Sequence, residues 1–184
     1  TTASAEYSGK ESLQNLLSSG NCRYCDLRYE NLSDRKKPEV DLAGAYLFGV
    51  DLSWSEFHKS NFSSSTLSLA RMEWASFDES DFSKANLEDA MLFRSTFRKA
   101  NFRLTNLSRA NLSKSELTEA NFLTATVKNA VLIEARMTGA KMQSADFSGA
   151  DLSGARLRDA DAQGANLDRA NLQGTDLNNS NFAG

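Results

Sequence analysis

Residues 81–100 read DFSKA NLEDA MLFRS TFRKA, four copies of one five-residue phrase that fills most of the chain. The central residue of each phrase, position i, is almost always large and apolar. Between Leu42 and Phe182 the 29 central positions hold 15 Leu, nine Phe, three Met, Val127 and Ala162. Position i−2 is always Ala, Ser, Thr or Val. A repeat this regular makes the period the first property to explain.

A period of five fits neither an amphipathic helix nor a single strand, but it fits short extended segments joined by corners. Positions i and i−2 flank i−1, so both point to the same side, while i−1, i+1 and i+2 face water. Position i+2 should be the third residue of a type II turn, where a positive φ favours glycine. Eight glycines occupy that position: Gly44, Gly49, Gly139, Gly149, Gly154, Gly164, Gly174 and Gly184.

Large side chains recur every 20 residues, as at Phe62, Phe82, Phe102 and Phe122. Four phrases should therefore make one square coil, with successive coils roughly 4.8 Å apart, like strands in a sheet. About eight such coils would form a rod on the order of 40 Å long. Its axis would be filled by side chains, with no room for a pocket.

The phrases Ala85-Asn86-Leu87 and Ala150-Asp151-Leu152 resemble the motif A(D/N)LXX of the pentapeptide-repeat protein family. The resemblance implies an all-β fold, a right-handed quadrilateral β-helix. The handedness is implied by the family and not by the spacing. We assign the β-helix to residues 20–184.

Residues 1–19 are predicted to be a tail followed by a capping helix. Ser8 and Glu11 form a capping box, and Gly20 suits a helix C-terminus. Such a helix would cover the unpaired backbone of the first coil, although it could also pack elsewhere. Three leucines lie at helical spacing: Leu13, Leu16 and Leu17.

Residues 33–39 interrupt the pattern. Lys37 falls at an inward position, and Pro38 cannot donate to a backbone ladder. We therefore expect an exposed basic loop excursion here, either simply solvated or functional.

Cys22 and Cys25 fall at i and at the following i−2, the two ends of a corner. The ends of a turn lie under about 7 Å apart and a disulfide needs roughly 4.4 to 6.8 Å between Cα atoms, so a bridge is allowed. A bridge would favour a periplasm or a thylakoid lumen. Two reduced core thiols are the alternative. Redox or zinc chemistry is less favoured, because a redox pair usually sits at a helix N-terminus and zinc needs two further ligands.

Composition excludes several functions. Lysine plus arginine is 21 and aspartate plus glutamate is 24, so the net charge of −3 indicates no nucleic-acid footprint. No apolar run is long enough to insert into a membrane. His58, the one histidine, has no cysteine or serine placed as a catalytic partner, and a filled rod offers no cleft for a small-molecule substrate. We predict no enzyme activity and no catalytic, cofactor or metal site.

We call a set of phrases spaced by 20 residues a column. The column centred on Leu52, Met72, Leu92 and Leu132 carries unusually apolar residues at its outward positions, which is typical of a contact surface. Trp and Arg also dominate binding hot spots. The alternative is that the aromatic rings stack across coils and shield the backbone. The predicted protein-binding residues are Trp54, Trp74, Arg71, Met91, Phe93, Arg94, Val131 and Ile133.

The leading functional hypothesis is a non-enzymatic scaffold that binds an unidentified protein or a second copy of itself. Within the family it resembles single-domain cyanobacterial and plastid members, several of them lumenal or periplasmic; a cytoplasmic location is the alternative. A different class is DNA mimicry, as in gyrase-protecting members. A mimic about 40 Å long would want on the order of 20 negative charges, far more than this chain carries.

Overall fold

The computed structural model describes residues 9–183, which form one helix followed by a stack of coils. Helix α1 spans Gly9–Ser19. After it, parallel bridges join every fifth residue to the residue 20 positions later, from Asn21↔Asp41 to Asp161↔Asn181. In this part of the chain the β-structure consists of such single-residue bridges and not of longer strands. Four bridges per coil give four faces, so the predicted quadrilateral β-helix with a helical cap is confirmed.

Most five-residue phrases are held by the same backbone hydrogen bonds. Around Leu47 the N–H groups of positions i−1, i and i+2 donate to carbonyls of adjacent coils at 2.8, 2.9 and 2.9 Å. The N–H of Val50 closes the corner on the carbonyl of Leu47 at 3.1 Å. Position i+2 has positive φ as predicted, but glycine is not required there. Non-glycine residues occupy it with φ between 53° and 61°.

Side chains of position i fill the axis. Phe62, Phe82, Phe102 and Phe122 are fully buried, with successive ring centroids 4.8, 5.3 and 5.1 Å apart. A second phenylalanine ladder packs edge-on against this one, for example Phe97 on Phe102 at 5.3 Å. The interior is therefore occupied by protein, and binding has to use the outer faces.

Helix α1 covers the first coil. Leu16 is fully buried and Leu13 partly so, while Gly20 ends the helix with φ of 74° and donates to the carbonyl of Leu16 at 3.0 Å. The predicted apolar stripe is wrong at Leu17, which is exposed, and Ser12 is buried in its stead. Ser8 of the predicted capping box lies outside the described residues.

The loop excursion predicted near 33–39 is wrong, because the coil continues through it. Lys37 still donates from its backbone to the carbonyl of Glu56 at 2.9 Å. Pro38 occupies position i+1, whose N–H takes no part in the ladder between coils, so the absence of a donor costs nothing there. The ammonium of Lys37 donates to the carbonyl of Leu17 at 3.0 Å and so satisfies one free carbonyl at the end of α1.

Candidate protein-binding face

Trp54 and Trp74 occupy the same outward position on successive coils. Both lie at i+2, with φ of 61° and 59°, so the corner backbone points their side chains away from the axis. Their rings are parallel within 2°, with centroids 5.1 Å apart. Trp54 is nonetheless 56% exposed and Trp74 is 42% exposed. The predicted stacking across coils therefore exists, and it leaves a large aromatic surface in solvent.

Phe93 and Arg94 extend this stack onto the next coil. The ring of Phe93 meets Trp74 edge-on at 6.0 Å. The guanidinium carbon of Arg94 lies 4.7 Å from the centroid of the Trp74 ring and 5.5 Å from that of Phe93. Both distances are within the range of cation–π attraction. We call Trp54, Trp74, Phe93 and Arg94 the aromatic cluster.

The other predicted binding residues are divided by the coil geometry. Met91 is exposed on the face of the cluster and its backbone bridges to Arg71 on one side and Asn111 on the other. Val131 bridges to Asn111 from the far side, and Ile133 lies on the same coil as Val131. The polar rung at Asn111 therefore separates Val131 and Ile133 from the aromatic cluster, so that the predicted patch is two smaller ones.

Arg71 is engaged within the chain. It lies 3.3 Å from a carboxylate oxygen of Asp51 and 3.9 Å from Glu73. Burial alone would raise the pKa of Asp51, but hydrogen bonds from Ser53 and the charge of Arg71 outweigh it, and the pKa lies below its ordinary value. Arg71 is therefore less free than Arg94, which takes part in no ion pair with a described residue.

A shallow groove continues from the cluster along the adjoining corner. It begins at Trp74, ends beside Gly154, and has a volume of about 600 Å³. We call it the corner groove. Its charged lining residues are Arg94, Lys114, Arg136 and Arg156 together with Glu116 and Glu134.

Sequence reasoning missed the corner groove beyond Arg94. The sequence nevertheless contains the information needed to predict the groove, because position i+2 of one column and position i−1 of the next column meet at one corner. Aligning both positions at a spacing of 20 residues places Lys114 beside Glu116, Glu134 beside Arg136 and Gly154 beside Arg156.

The two cysteines form a disulfide beneath the cap. Cys22 and Cys25 are buried and bonded, with Cα atoms 5.2 Å apart, inside the range predicted for the ends of a corner. The pair is closed off from solvent by α1, since the sulfur of Cys22 lies 3.1 Å from the carbonyl oxygen of Ser12.

Residues 9–183 contain neither a candidate metal site nor a candidate membrane-spanning helix. Their acidic, histidine and cysteine side chains form no group able to hold a metal ion. Their one helix is not long and apolar enough to span a membrane.

Comparisons with known proteins agree with the fold. A family model described as pentapeptide repeats matches the chain in eight copies, in overlapping segments from residue 55 to residue 184. No curated protein matches the chain. One similar solved structure is HetL, a pentapeptide repeat protein involved in heterocyst differentiation regulation from the cyanobacterium Nostoc sp. strain PCC 7120. It is 25% identical to this chain, the alignment covers 94% of this chain and 93% of the HetL chain, and the TM-score is 0.56.

Two further solved structures are similar. QnrB1, a plasmid-mediated fluoroquinolone resistance protein, is 20% identical over 87% of this chain and 90% of its own, with a TM-score of 0.56. A pentapeptide repeat protein of the Arabidopsis thaliana thylakoid lumen is 21% identical over 86% of this chain and 75% of its own, with a TM-score of 0.44. The right-handed quadrilateral β-helix of such repeats is the fold found here.

Proposed function

Since this chain belongs to the pentapeptide-repeat family, whose members are generally structural or interaction proteins, we propose that it is a non-enzymatic scaffold that binds a protein through its aromatic cluster. The observation that carries the proposal is the exposed Trp54–Trp74 stack. The fold needs a large apolar side chain at i and a small side chain at i−2, and it makes no such demand at i+2. The scaffold therefore does not account for two tryptophans there.

The chemistry of the cluster suits recognition of a protein. Trp and Arg are among the residues enriched in binding hot spots, and an arginine already packed over an aromatic ring loses little freedom when it binds. Met91 widens the apolar surface beside the cluster. The partner is an unidentified protein or a second copy of this chain. HetL, the similar cyanobacterial protein, is itself described as involved in regulation.

Catalysis has little support. The axis is filled with side chains, and the corner groove is an open surface whose carboxylates are paired with cations. The corner groove offers no enclosed cleft. The prediction that no serine lies beside His58 is wrong, because Oγ of Ser76 lies 3.2 Å from Nδ1 of His58. Ser76 is also hydrogen-bonded to Thr96 at 2.7 Å, and the pair lies on an outer face with no cleft to hold a substrate.

DNA mimicry is also poorly supported. Duplex DNA carries about one negative charge per 1.7 Å of its axis. The net charge of this chain is −3, and the corner groove is lined by four cations and two carboxylates. The likeness to QnrB1, at 20% identity, extends to the fold alone.

We further propose an oxidising compartment, a periplasm or a thylakoid lumen. The disulfide between Cys22 and Cys25 supports this location, because cytosolic thiols are normally kept reduced.

The test is the double variant Trp54→Ser/Trp74→Ser, compared with wild type in affinity capture from the source organism and in sedimentation of the pure protein. Hot-spot residues contribute about 2 kcal/mol or more, so association should weaken by about thirtyfold or more. The lost ring stacking is worth about 0.5 to 1.5 kcal/mol, so the melting temperature should fall by no more than about 6 °C.

A matched control is Leu104→Ser. This leucine is also exposed, also lies at i+2 with positive φ, and lies away from the face of the aromatic cluster. The control should keep full association. If the tryptophan variant melts far lower than the control, the rings are structural shields and the proposal loses its basis.

A further inference from the structure

We propose that the corner groove binds an acidic segment of the partner in extended conformation. This inference rests on the proposed function and names the chemistry of the partner. It concerns a different set of residues from the tryptophan pair. Its basis is the distribution of paired and unpaired charges along the groove.

The middle of the groove is neutralised and its two ends are not. Lys114 lies 3.6 Å from Glu134, and Arg136 lies 3.2 Å from Glu116. Arg94 and Arg156 are exposed, and neither forms an ion pair with any residue of the described chain. Two free guanidinium groups therefore face solvent at opposite ends of one groove.

The distance between these ends matches an extended peptide. Positions 94 and 154 lie three coils apart, since each coil takes 20 residues, and Arg156 is two residues beyond Gly154. At roughly 4.8 Å per coil the separation along the axis is about 14 Å. In an extended chain, residues four apart point to the same side and lie about 13 Å apart. Two carboxylates with that spacing can reach both guanidinium groups.

Arg94 is already positioned for such a contact. Its guanidinium lies 4.7 Å from the centroid of the Trp74 ring and 5.5 Å from that of Phe93. A guanidinium packed on aromatic rings keeps its N–H edge available for a bidentate bond to a carboxylate. The cluster and the groove then form one surface, with aromatic rings at one end and unpaired guanidinium groups at Arg94 and Arg156.

A nucleic acid fits this surface less well. A phosphate backbone needs an uninterrupted run of cations, and Glu116 and Glu134 lie in the middle of the groove. The net charge of −3 also opposes long-range attraction of a polyanion as dense as DNA. Carboxylates placed only at the two ends avoid both obstacles.

The experiment uses the fluorescence of the two tryptophans, which are the only ones in the chain and both belong to the cluster. The probe is a capped peptide of serine, about ten residues long, with two glutamates four residues apart, and it spans the groove when extended. At about 0.01 M salt, where screening is weak, it should change the emission saturably, and binding should weaken at about 0.1 M. The same peptide with glutamine for glutamate should give no change.

Arg94→Gln/Arg156→Gln should weaken binding of the acidic peptide by about fivefold or more, because two charge pairs are lost. The matched control is Lys84→Gln/Arg103→Gln, which removes the same charge from two exposed cations on another face that form no ion pair with a described residue. It should change the affinity by less than about twofold.

Three outcomes would overturn the inference. They are equal weakening by the two double variants, equal binding of the glutamine peptide, and tighter binding of a short DNA duplex or of inorganic phosphate than of the acidic peptide. If the peptide fails while partner association still depends on Trp54 and Trp74, the inference is wrong and the proposed function stands. If association does not depend on the tryptophans, the proposed function is wrong whatever the peptide does.

Discussion

Replacing Phe102 by alanine tests whether stacked coils supply the stability. The Phe102 side chain is fully buried, and its ring centroid lies 5.3 Å from Phe82, 5.3 Å from Phe97 and 5.1 Å from Phe122. Deleting a buried phenylalanine costs about 3 to 5 kcal/mol. Each aromatic pair adds about 0.5 to 1.5 kcal/mol beyond its buried area. We therefore expect a loss near the upper end, about 4 to 5 kcal/mol.

Urea unfolding followed by circular dichroism measures this loss. With a denaturant slope of about 2 kcal/mol per molar urea, the midpoint should fall by about 2 M. Phe182→Ala is the first comparison: its side chain is only partly buried, so it should lose less than half as much. Leu104→Ala changes an exposed side chain on the same coil as Phe102 and should cost less than about 0.5 kcal/mol. Equal losses at Phe102 and Phe182 would refute the stacked-coil account.

Two further predictions concern the corners and the cap. Gly44→Ala should destabilise more than Gly139→Ala although both glycines have φ near 67°, because a Cβ at Gly44 would lie 2.4 Å from the Tyr24 ring, whereas at Gly139 the nearest atom is 3.5 Å away. Adding Tyr24→Ala to the first variant should remove the difference between them in thermal melts. Protein purified without reductant and then denatured should show no free thiol, and reduction of Cys22–Cys25 should lower the melting temperature only modestly, since the closed loop is short. Two titratable thiols in protein from its own compartment would contradict the disulfide and weaken the proposed location.

The coil itself could be predicted because its causes are local and repeated. An inward slot at i and a small inward residue at i−2 recur with a fixed period, and like residues align at a spacing of 20. Phe62 and Phe82, for example, stack nearly parallel, within 6°. A single deviating phrase has little influence against so many that agree. The spacing therefore predicted the square coil, although the handedness came from the family resemblance.

The same reasoning failed where a deviating residue had a compensating neighbour. Lys37 at an inward position and Pro38 after it predicted a loop, yet the backbone keeps its register. The compensation comes from helix α1, whose free carbonyl at Leu17 accepts a hydrogen bond from the ammonium of Lys37. Whether a lysine at an end coil finds such a partner depends on where the helix lies, and no repeat pattern contains that information.

The binding face could be predicted residue by residue but not as a surface. The sequence indicated that Trp54 and Trp74 lie on one column, and their parallel stacking follows from the spacing. The spacing of 20 residues also places Asn111 between Met91 and Val131, a division that the sequence analysis missed. The sequence did not indicate that Arg94 packs on Trp74 while Arg71 is held by Asp51. These differences depend on side-chain conformations, which the repeat leaves free at outward positions.

Because the repeat places few demands on outward side chains, the residues found at outward positions can indicate function. The inward positions are explained by burial, and the corner at i+2 accepts residues as different as Lys84 and Leu104 with nearly the same φ. Fold stability therefore exerts little selection on which side chain occupies an outward slot. The stacked and still exposed tryptophan pair contributes only about 0.5 to 1.5 kcal/mol to holding the coils together. Arg94 and Arg156, at the two ends of the groove beside it, form no ion pair with a described residue. We therefore propose that a partner covers the rings and supplies carboxylates to these two arginines.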